Sequence, residues 1–426
     1  MVKLRKRHLL THAIRGRRII AYVAGGLLVG LTAILMAKLA DMAQGFYLNL
    51  VNLSPCLHWY ITPIGFALIA WVTHSFFPTS GGSGIPQVIA SLSIHEQKAR
   101  ESLVSLASAL GKIVRMSLGF LIGASIGREG PSVQVGAALM HQIRFFDSKR
   151  SKDLIIAGAG AGVAAAFSTP LAGVIFAIEE LSRQMSSRVS GLLIGAILVA
   201  GFTSIAVVGD YTYFGNTSHS VIWYDVLAPS IVIAILAGIL GALFTTVLTG
   251  APGFFRKIVP LKGVWAVVGF SALCGLGIAV FSEFSVDSIN GTGYAIARSL
   301  VQDDHLVSPW FLFNKFCATL LSSMSGIPGG IFSPSLAIGA GLGADVQIWF
   351  TALPVGILSI LGMAAFLSGV VQAPLTAVVI VLEMTHDHSL VVPLMAASLI
   401  ARWVAQQLGV KGVYHQLADR YIHPKT

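Results

Sequence analysis

Gly127-Arg128-Glu129-Gly130-Pro131-Ser132 returns 203 positions later as Gly330-Ile331-Phe332-Ser333-Pro334-Ser335. Each copy runs on into small and apolar residues, Val133-Gln134-Val135-Gly136-Ala137 in one case and Leu336-Ala337-Ile338-Gly339-Ala340 in the other. Glycine lets the backbone approach a neighbour closely, and proline in the first helical turn removes no hydrogen bond that the helix needs. What remains is a helix start whose N–H groups and positive dipole end point forward and attract anions. A duplicated start of this kind in a very apolar chain implies two related halves that bring helix ends to a buried site. Glu129 against Phe332 marks where the halves divide labour.

The repeat extends outward from that pair. Lys112 corresponds to Lys315, Thr169-Pro170-Leu171-Ala172-Gly173-Val174-Ile175 to Ala373-Pro374-Leu375-Thr376-Ala377-Val378-Val379, and Glu179 to Glu383. The basic loops 144–152 and 183–188 have counterparts at 347–355, which carries no charge, and 387–392, which has no Lys or Arg. Basic loops face the cytoplasm, so the halves are expected to be inverted with respect to each other. By the same rule the basic N-terminus 1–18 and the loop 256–262 lie inside, and the acidic stretch 283–304 and the segment 209–220 lie outside.

Only 11% of the 426 residues are charged and 55% are hydrophobic, which makes this an integral membrane protein. Apolar runs at 19–39, 192–208, 226–248 and 264–281 approach the ~20 residues that a crossing helix needs. Other stretches are cut shorter by Gly and Pro, so some helices are expected to stop partway. Between Lys152 and Arg183, Thr169-Pro170 divides about thirty residues, too few for two crossings, into a re-entrant hairpin whose turn must be covered by protein. The expected organisation is a basic cytoplasmic N-terminus (1–18), one all-α transmembrane domain (19–409) of two inverted halves (about 19–220 and 226–409), and a short cytoplasmic tail (410–426). With so short a tail, no soluble regulatory domain is expected to follow. The net charge of +10 belongs to loops and tails and implies no nucleic-acid partner. Cys56, Cys274 and Cys317 are far apart and suggest neither a disulfide framework nor a metal cluster. His386-Asp387-His388 lacks further ligands, so no metal is expected.

A third Gly-rich helix start, Gly81-Gly82-Ser83-Gly84-Ile85-Pro86-Gln87, joins the repeated pair. Together GSGIP at 82–86, GREGP at 127–131, the Glu179-Glu180 pair, GIFSP at 330–334 and Tyr414 resemble the signature motifs of the CLC family of chloride channels and chloride/proton antiporters. The resemblance runs from about residue 19 to Tyr414. It implies the CLC-type inverted repeat of many short, tilted and re-entrant helices, and a homodimer with one pore per subunit. The motif positions Gly82, Gly84, Pro86, Gly127, Arg128, Gly130, Pro131, Gly330 and Pro334 all match. Carried over residue by residue, the likeness makes the Ser83 and Tyr414 hydroxyls and the backbone N–H groups of Ile331 and Phe332 the chloride ligands. Such groups offer partial positive charge without a full cation that would hold the ion too tightly. A serine at position 83 resembles the chloride-type members. Gln87 and Ile89 depart from the acidic residues of many relatives, which puts a structural or proton-linked contact there in question.

Glu129 is a carboxylate among forward-pointing amides. Deprotonated, it competes for an anion position; protonated, it yields that position, which makes it a gate. The plainer readings are a salt bridge with Arg128 or a helix cap. Glu179 and Glu180 each cost about 2.5–3.5 kcal/mol to insert into an apolar helix when ionised. Glu179 shares its place with Glu383, which favours a scaffold role such as binding the N–H groups of a broken helix. Glu180 corresponds to Met384, and the family likeness makes it the internal proton-transfer glutamate; the plainer reading is a packing or dimer-interface contact, because its facing is not legible. Lys112 and Lys315 are expected to raise the local potential or to pair with carboxylates.

The reading is a voltage-independent secondary-active exchanger of chloride for protons. It needs no cofactor, is no enzyme, and lies in the cell inner (plasma) membrane with both termini cytoplasmic. A passive chloride channel on the same scaffold is the alternative. Gly81-Gly82-Ser83-Gly84 also fits the GxSG pattern of an intramembrane serine protease, which would need a histidine base and would leave the duplication unexplained.

Overall fold

A computed structural model of the chain describes residues 2–143, 151–182, 190–209, 214–215, 217, 222, 224–258, 263–302 and 307–423, with side chains from residue 16 onward except at 256–258. The first half supplies α1 (Val2–Leu53), α2 (His58–Phe76), α3 (Ile85–Ser93), α4 (Gln97–Leu103), α5 (Leu106–Leu121), α6 (Glu129–Gln142), α7 (Ser151–Phe167), α8 (Pro170–Phe176) and α9 (Gly191–Val208). The second half supplies α10 (Leu227–Ile258), α11 (Val264–Glu283), α12 (Tyr294–Val301), α13 (Phe311–Met324), α14 (Phe332–Val346), α15 (Val355–Val371), α16 (Pro374–Thr385), α17 (Val391–Gln407) and α18 (Val413–Ile422).

Two kinds of helix follow from two kinds of pattern. Among the described residues, seven helical segments are long and apolar enough to cross a membrane. On α10, Ile231, Ile235, Ile239 and Leu243 form an exposed stripe at four-residue spacing, an apolar face suited to lipid alone. The chain is a multi-pass membrane protein. In contrast, every residue of α7 from Leu154 and of α15 from Gly356 is buried, so these two form the centre. α6, α8, α14 and α16 fall short of the ~20 residues of a full crossing and are packed inside.

The repeat is visible in the packing. α6 and α9 lie on α7 as α14 and α17 lie on α15. A β-carbon on Gly136 would strike the Gly158 carbonyl, and one on the equivalent Gly339 would strike the Gly362 carbonyl, so both helix pairs meet at backbone contact. α7 breaks before α8 at Ser168 (φ 56°), and α15 breaks before α16 at Gln372 (φ 63°), each followed two residues later by the Pro that starts the next helix. The halves join through an antiparallel bridge in which the N–H of Gly127 donates to Gly330 O and that of Gly330 to Gly127 O, both at 2.7 Å. A reciprocal antiparallel pair is what a two-fold relation between inverted repeats produces.

Residues 413–422 are more closely integrated than a tail. α18 packs on α3 and buries Val413, Tyr414 and Ala418, one face of an amphipathic helix.

Candidate functional site

Three buried helix starts come together. α3 follows Gly84, α6 follows Arg128 and α14 follows Ile331, and at none of them does the preceding side chain cap the helix. α5 and α9, by contrast, are capped by Ser105 and Ser190. The loops before the uncapped helices are sewn to one another: Gly82 N–H donates to Ile327 O at 3.2 Å, and Gly329 N–H to Gly82 O at 3.2 Å. A β-carbon on Gly130 would collide with Ser83 Oγ, so glycine is what lets the start of α6 reach the loop before α3.

Ser83, Ile331, Phe332 and Tyr414 are all buried in this region. The Phe332 and Tyr414 ring centroids are 5.7 Å apart, and the Tyr414 hydroxyl lies near enough to Ser83 to interact with it. Phe167 and Phe176 meet Phe332 edge-on, with centroids at 6.1 and 6.0 Å, and wall the spot with apolar surface. Although they lie side by side, neither Ser83 Oγ nor the Tyr414 hydroxyl has a hydrogen-bond partner of good geometry among the described residues. A buried unpaired hydroxyl costs about 1–3 kcal/mol, so two together beside an uncapped helix form a donor set suited to a small anion.

Glu129 reaches across to the other half. Its buried carboxylate accepts from Ser333 Oγ at 2.5 Å and lies against the backbone N–H of Ser333, in the first turn of α14. A carboxyl group thus rests on the positive end of a helix that begins in the repeated motif. Arg128 turns the other way, with Nη1 donating to Asp41 Oδ1 at 2.8 Å and to Ala37 O at 3.2 Å.

The buried lysines differ from one of their expected roles. Lys112 Nζ donates to the carbonyls of Gly82 at 2.9 Å and Gly81 at 3.3 Å, and Lys315 Nζ donates to Ser125 Oγ, Ile289 O and Gly291 O, each at 2.9 Å. These bonds go to carbonyls and a hydroxyl instead of carboxylates, because the glycine loops leave carbonyls turned inward that need donors. Gln87 Nε2 adds a bond to Gly81 O at 2.6 Å, so the amide at this departure from the family pattern braces the same loop.

Glu179 and Glu383 form the reciprocal scaffold pair expected of them. Glu179 accepts from the N–H groups of Leu375 at 3.1 Å and Thr376 at 2.7 Å, at the start of α16. Glu383 accepts from those of Leu171 at 3.0 Å and Ala172 at 2.6 Å, at the start of α8. Each carboxylate caps the other half's broken helix. The halves then differ locally: residues 177–181 form a π-turn, whereas α16 continues as a regular helix past Glu383 and Met384. A π-turn inserts a residue into the helical circuit, and Glu180 is buried here while Glu179 remains at the α16 start.

Glu180 faces a group that its own segment did not announce. His415 Nε2 is 3.4 Å from Glu180 Oε1. The signal was present in the sequence only as a histidine directly after Tyr414. The described residues near Asp387 form a hydroxyl network instead, with Thr217 and Ser389 donating to its carboxylate.

Three cavities reach these groups. One of about 400 Å³ is lined by Gly82, Ser83, Gln87 and Arg420. A second, of about 280 Å³, contains Glu180, His415, His95 and Lys152. The third, of about 270 Å³, is bounded by Asp41, Arg128, Asn290 and Thr292. Ser83 and Glu180 therefore open onto different cavities.

Residues 65–406 match the family model described as "Voltage gated chloride channel". The chain is 30% identical over 424 residues to the H(+)/Cl(-) exchange transporter ClcA of Salmonella arizonae, covering 93% of this chain and 86% of that protein. It is 29% identical over 432 residues to the ClcA exchanger of Klebsiella pneumoniae, covering 93% and 87%. Among solved structures, a slow cyanobacterial Cl-/H+ antiporter superposes with a TM-score of 0.82 at 25% identity, covering 96% of this chain and 99% of that one. A CLC-type fluoride/proton antiporter shares the fold with a TM-score of 0.76 at 20% identity, covering 94% and 97%.

Proposed function

We propose that this chain, which belongs to the voltage gated chloride channel family, exchanges chloride for protons across the inner (plasma) membrane. The observation that carries this reading is the Glu129 carboxylate resting on the first turn of α14 through Ser333. An acid in that place is a competitor for chloride. Chloride held by Ser83, Tyr414 and the N–H groups of Ile331 and Phe332 would move outward only when Glu129 takes a proton and leaves the helix start. Chloride moving inward would leave when the ionised carboxylate returns. One proton-bearing state is thus exchanged against an anion position, and no cofactor takes part. Glu180 supplies the proton from the opposite side, through a cavity separate from the one that reaches Ser83.

The basic loop that ends at Lys152 supports a cytoplasmic position for the Glu180 cavity, and the acidic stretch that holds Asn290 and Thr292 supports an outside position for the Arg128 cavity. Both termini are then cytoplasmic. Glu179 and Glu383 cap helices whose Leu171 and Leu375 are exposed. Carboxylates beside hydrocarbon are costly, so this face is best covered by a second copy of the chain, giving a homodimer with one pathway per subunit. A serine-protease reading finds no base hydrogen-bonded to Ser83 Oγ among the described residues.

Chloride and proton fluxes measured together on purified protein in liposomes test the reading. A chloride gradient should drive proton uptake. Chloride flux without any proton movement would make the protein a passive channel.

A further inference from the structure

Glu180 is completely shielded from solvent, with a side-chain exposure of 0%, whereas the His415 ring beside it is 20% exposed. Both border the same cavity of about 280 Å³, in which Ile89, Leu92 and Leu181 form apolar wall. The imidazole therefore stands between the carboxylate and the solvent that can enter. α18 holds it there by burying Tyr414, the adjacent residue, and by packing on α3. The titratable groups around it are few. His95 and Lys152 line the cavity, and Asp419 lies one helical turn along α18. α15 has no ionisable residue, and α10 has none up to Phe255.

We propose that His415 passes protons between the cytoplasmic-side cavity and Glu180, so that the exchanger's response to pH on that side carries the titration of an imidazole. The inference rests on the reading of Glu180 as the proton-transfer group. In the uptake direction a hydronium ion gives its proton to the neutral ring, and the imidazolium Nε2–H then gives one to Glu180 Oε1. The ring returns to neutrality and the carboxylate becomes a neutral acid. The reverse sequence releases a proton to the cavity. An imidazole suits the step because it changes charge near neutral pH, ordinarily at about 6.5. Lys152 lines the same cavity.

The test measures proton and chloride flux in liposomes while the pH on the Glu180 side is varied through the range of imidazole. Wild-type proton flux should show an inflection there that persists in His95→Gln. In His415→Gln the inflection should vanish and proton flux fall about tenfold or more, with chloride flux within about twofold of wild type. An unchanged profile in His415→Gln, alongside loss of coupling in Glu180→Gln, overturns the role of His415 alone. Intact coupling in Glu180→Gln overturns the reading beneath it. Should His415→Gln fail to fold, the wild-type and His95→Gln profiles decide: an inflection common to both upholds the proposal, and its absence overturns it.

Discussion

The first half of this molecule carries Glu129 and Glu180 where the second carries Phe332 and Met384, although both keep the same helices, glycine contacts, buried lysine and capping glutamate. Groups that must be satisfied on both sides of the two-fold are kept in duplicate. Lys112 and Lys315 bond inward-facing carbonyls, and Glu179 and Glu383 cap each other's broken helices. Glu129 and Glu180, the proposed proton carriers, occur once. Exchange needs a directional path, and a symmetric pair of proton carriers would erase the direction. Phe332 instead forms an apolar wall with Phe167, while the acid of the first half crosses over to the second half's helix.

The sharpest way to break this comparison is Glu129→Gln, which makes the first half as proton-blind as the second. Proton flux should fall by at least about a hundredfold while chloride still passes, since an amide cannot carry the proton. Proton pumping by that variant, followed with a pH electrode, would remove Glu129 from its role. Glu180→Gln should likewise stop proton movement with chloride flux retained, and adding Met384→Glu should not restore it, because α16 lacks the π-turn and His415 stands beside position 180.

The duplicated groups should behave alike. Glu179→Gln and Glu383→Gln each weaken two charge-assisted bonds to backbone N–H groups, at a cost of about 1.5–3 kcal/mol, visible as matched losses of thermal stability in detergent. A large effect of one and none of the other would end the idea of a shared scaffold. The smallest change is Tyr414→Phe, which removes one donor of about 0.5–1.5 kcal/mol. It should weaken chloride binding roughly two- to tenfold by calorimetry.

Much of this was legible from local chemistry. The Gly–Pro helix starts at Gly82, Gly127 and Gly330 show in the sequence because backbone approach and helix polarity depend on a few adjacent residues. Glu179 announced its scaffold role through Glu383, since a repeat reports shared duty without a structure. Three features were not legible. Glu180's facing depends on a π-turn that no residue signals, as neighbouring helical positions already differ by about 100°. The lysine partners are carbonyls whose direction is set by loop packing. His415 and Glu180 are 235 positions apart and meet only because α18 folds back onto α3.

By itself, the sequence determined a lipid-solvated chain of two inverted halves with repeated Gly–Pro helix starts, and with Glu129 and Glu180 in one half against Phe332 and Met384 in the other. Hydropathy, charge bias and glycine placement act over short stretches, so no tertiary contact is needed to read them. Only the tertiary structure decided which acid touches which helix, which carbonyls the lysines satisfy, and that Ser83 and Glu180 open onto separate cavities. Those outcomes depend on burial and on hydrogen-bond partners brought from distant parts of the chain, and the cost of leaving a buried polar group unpaired is what selects one pairing over the others.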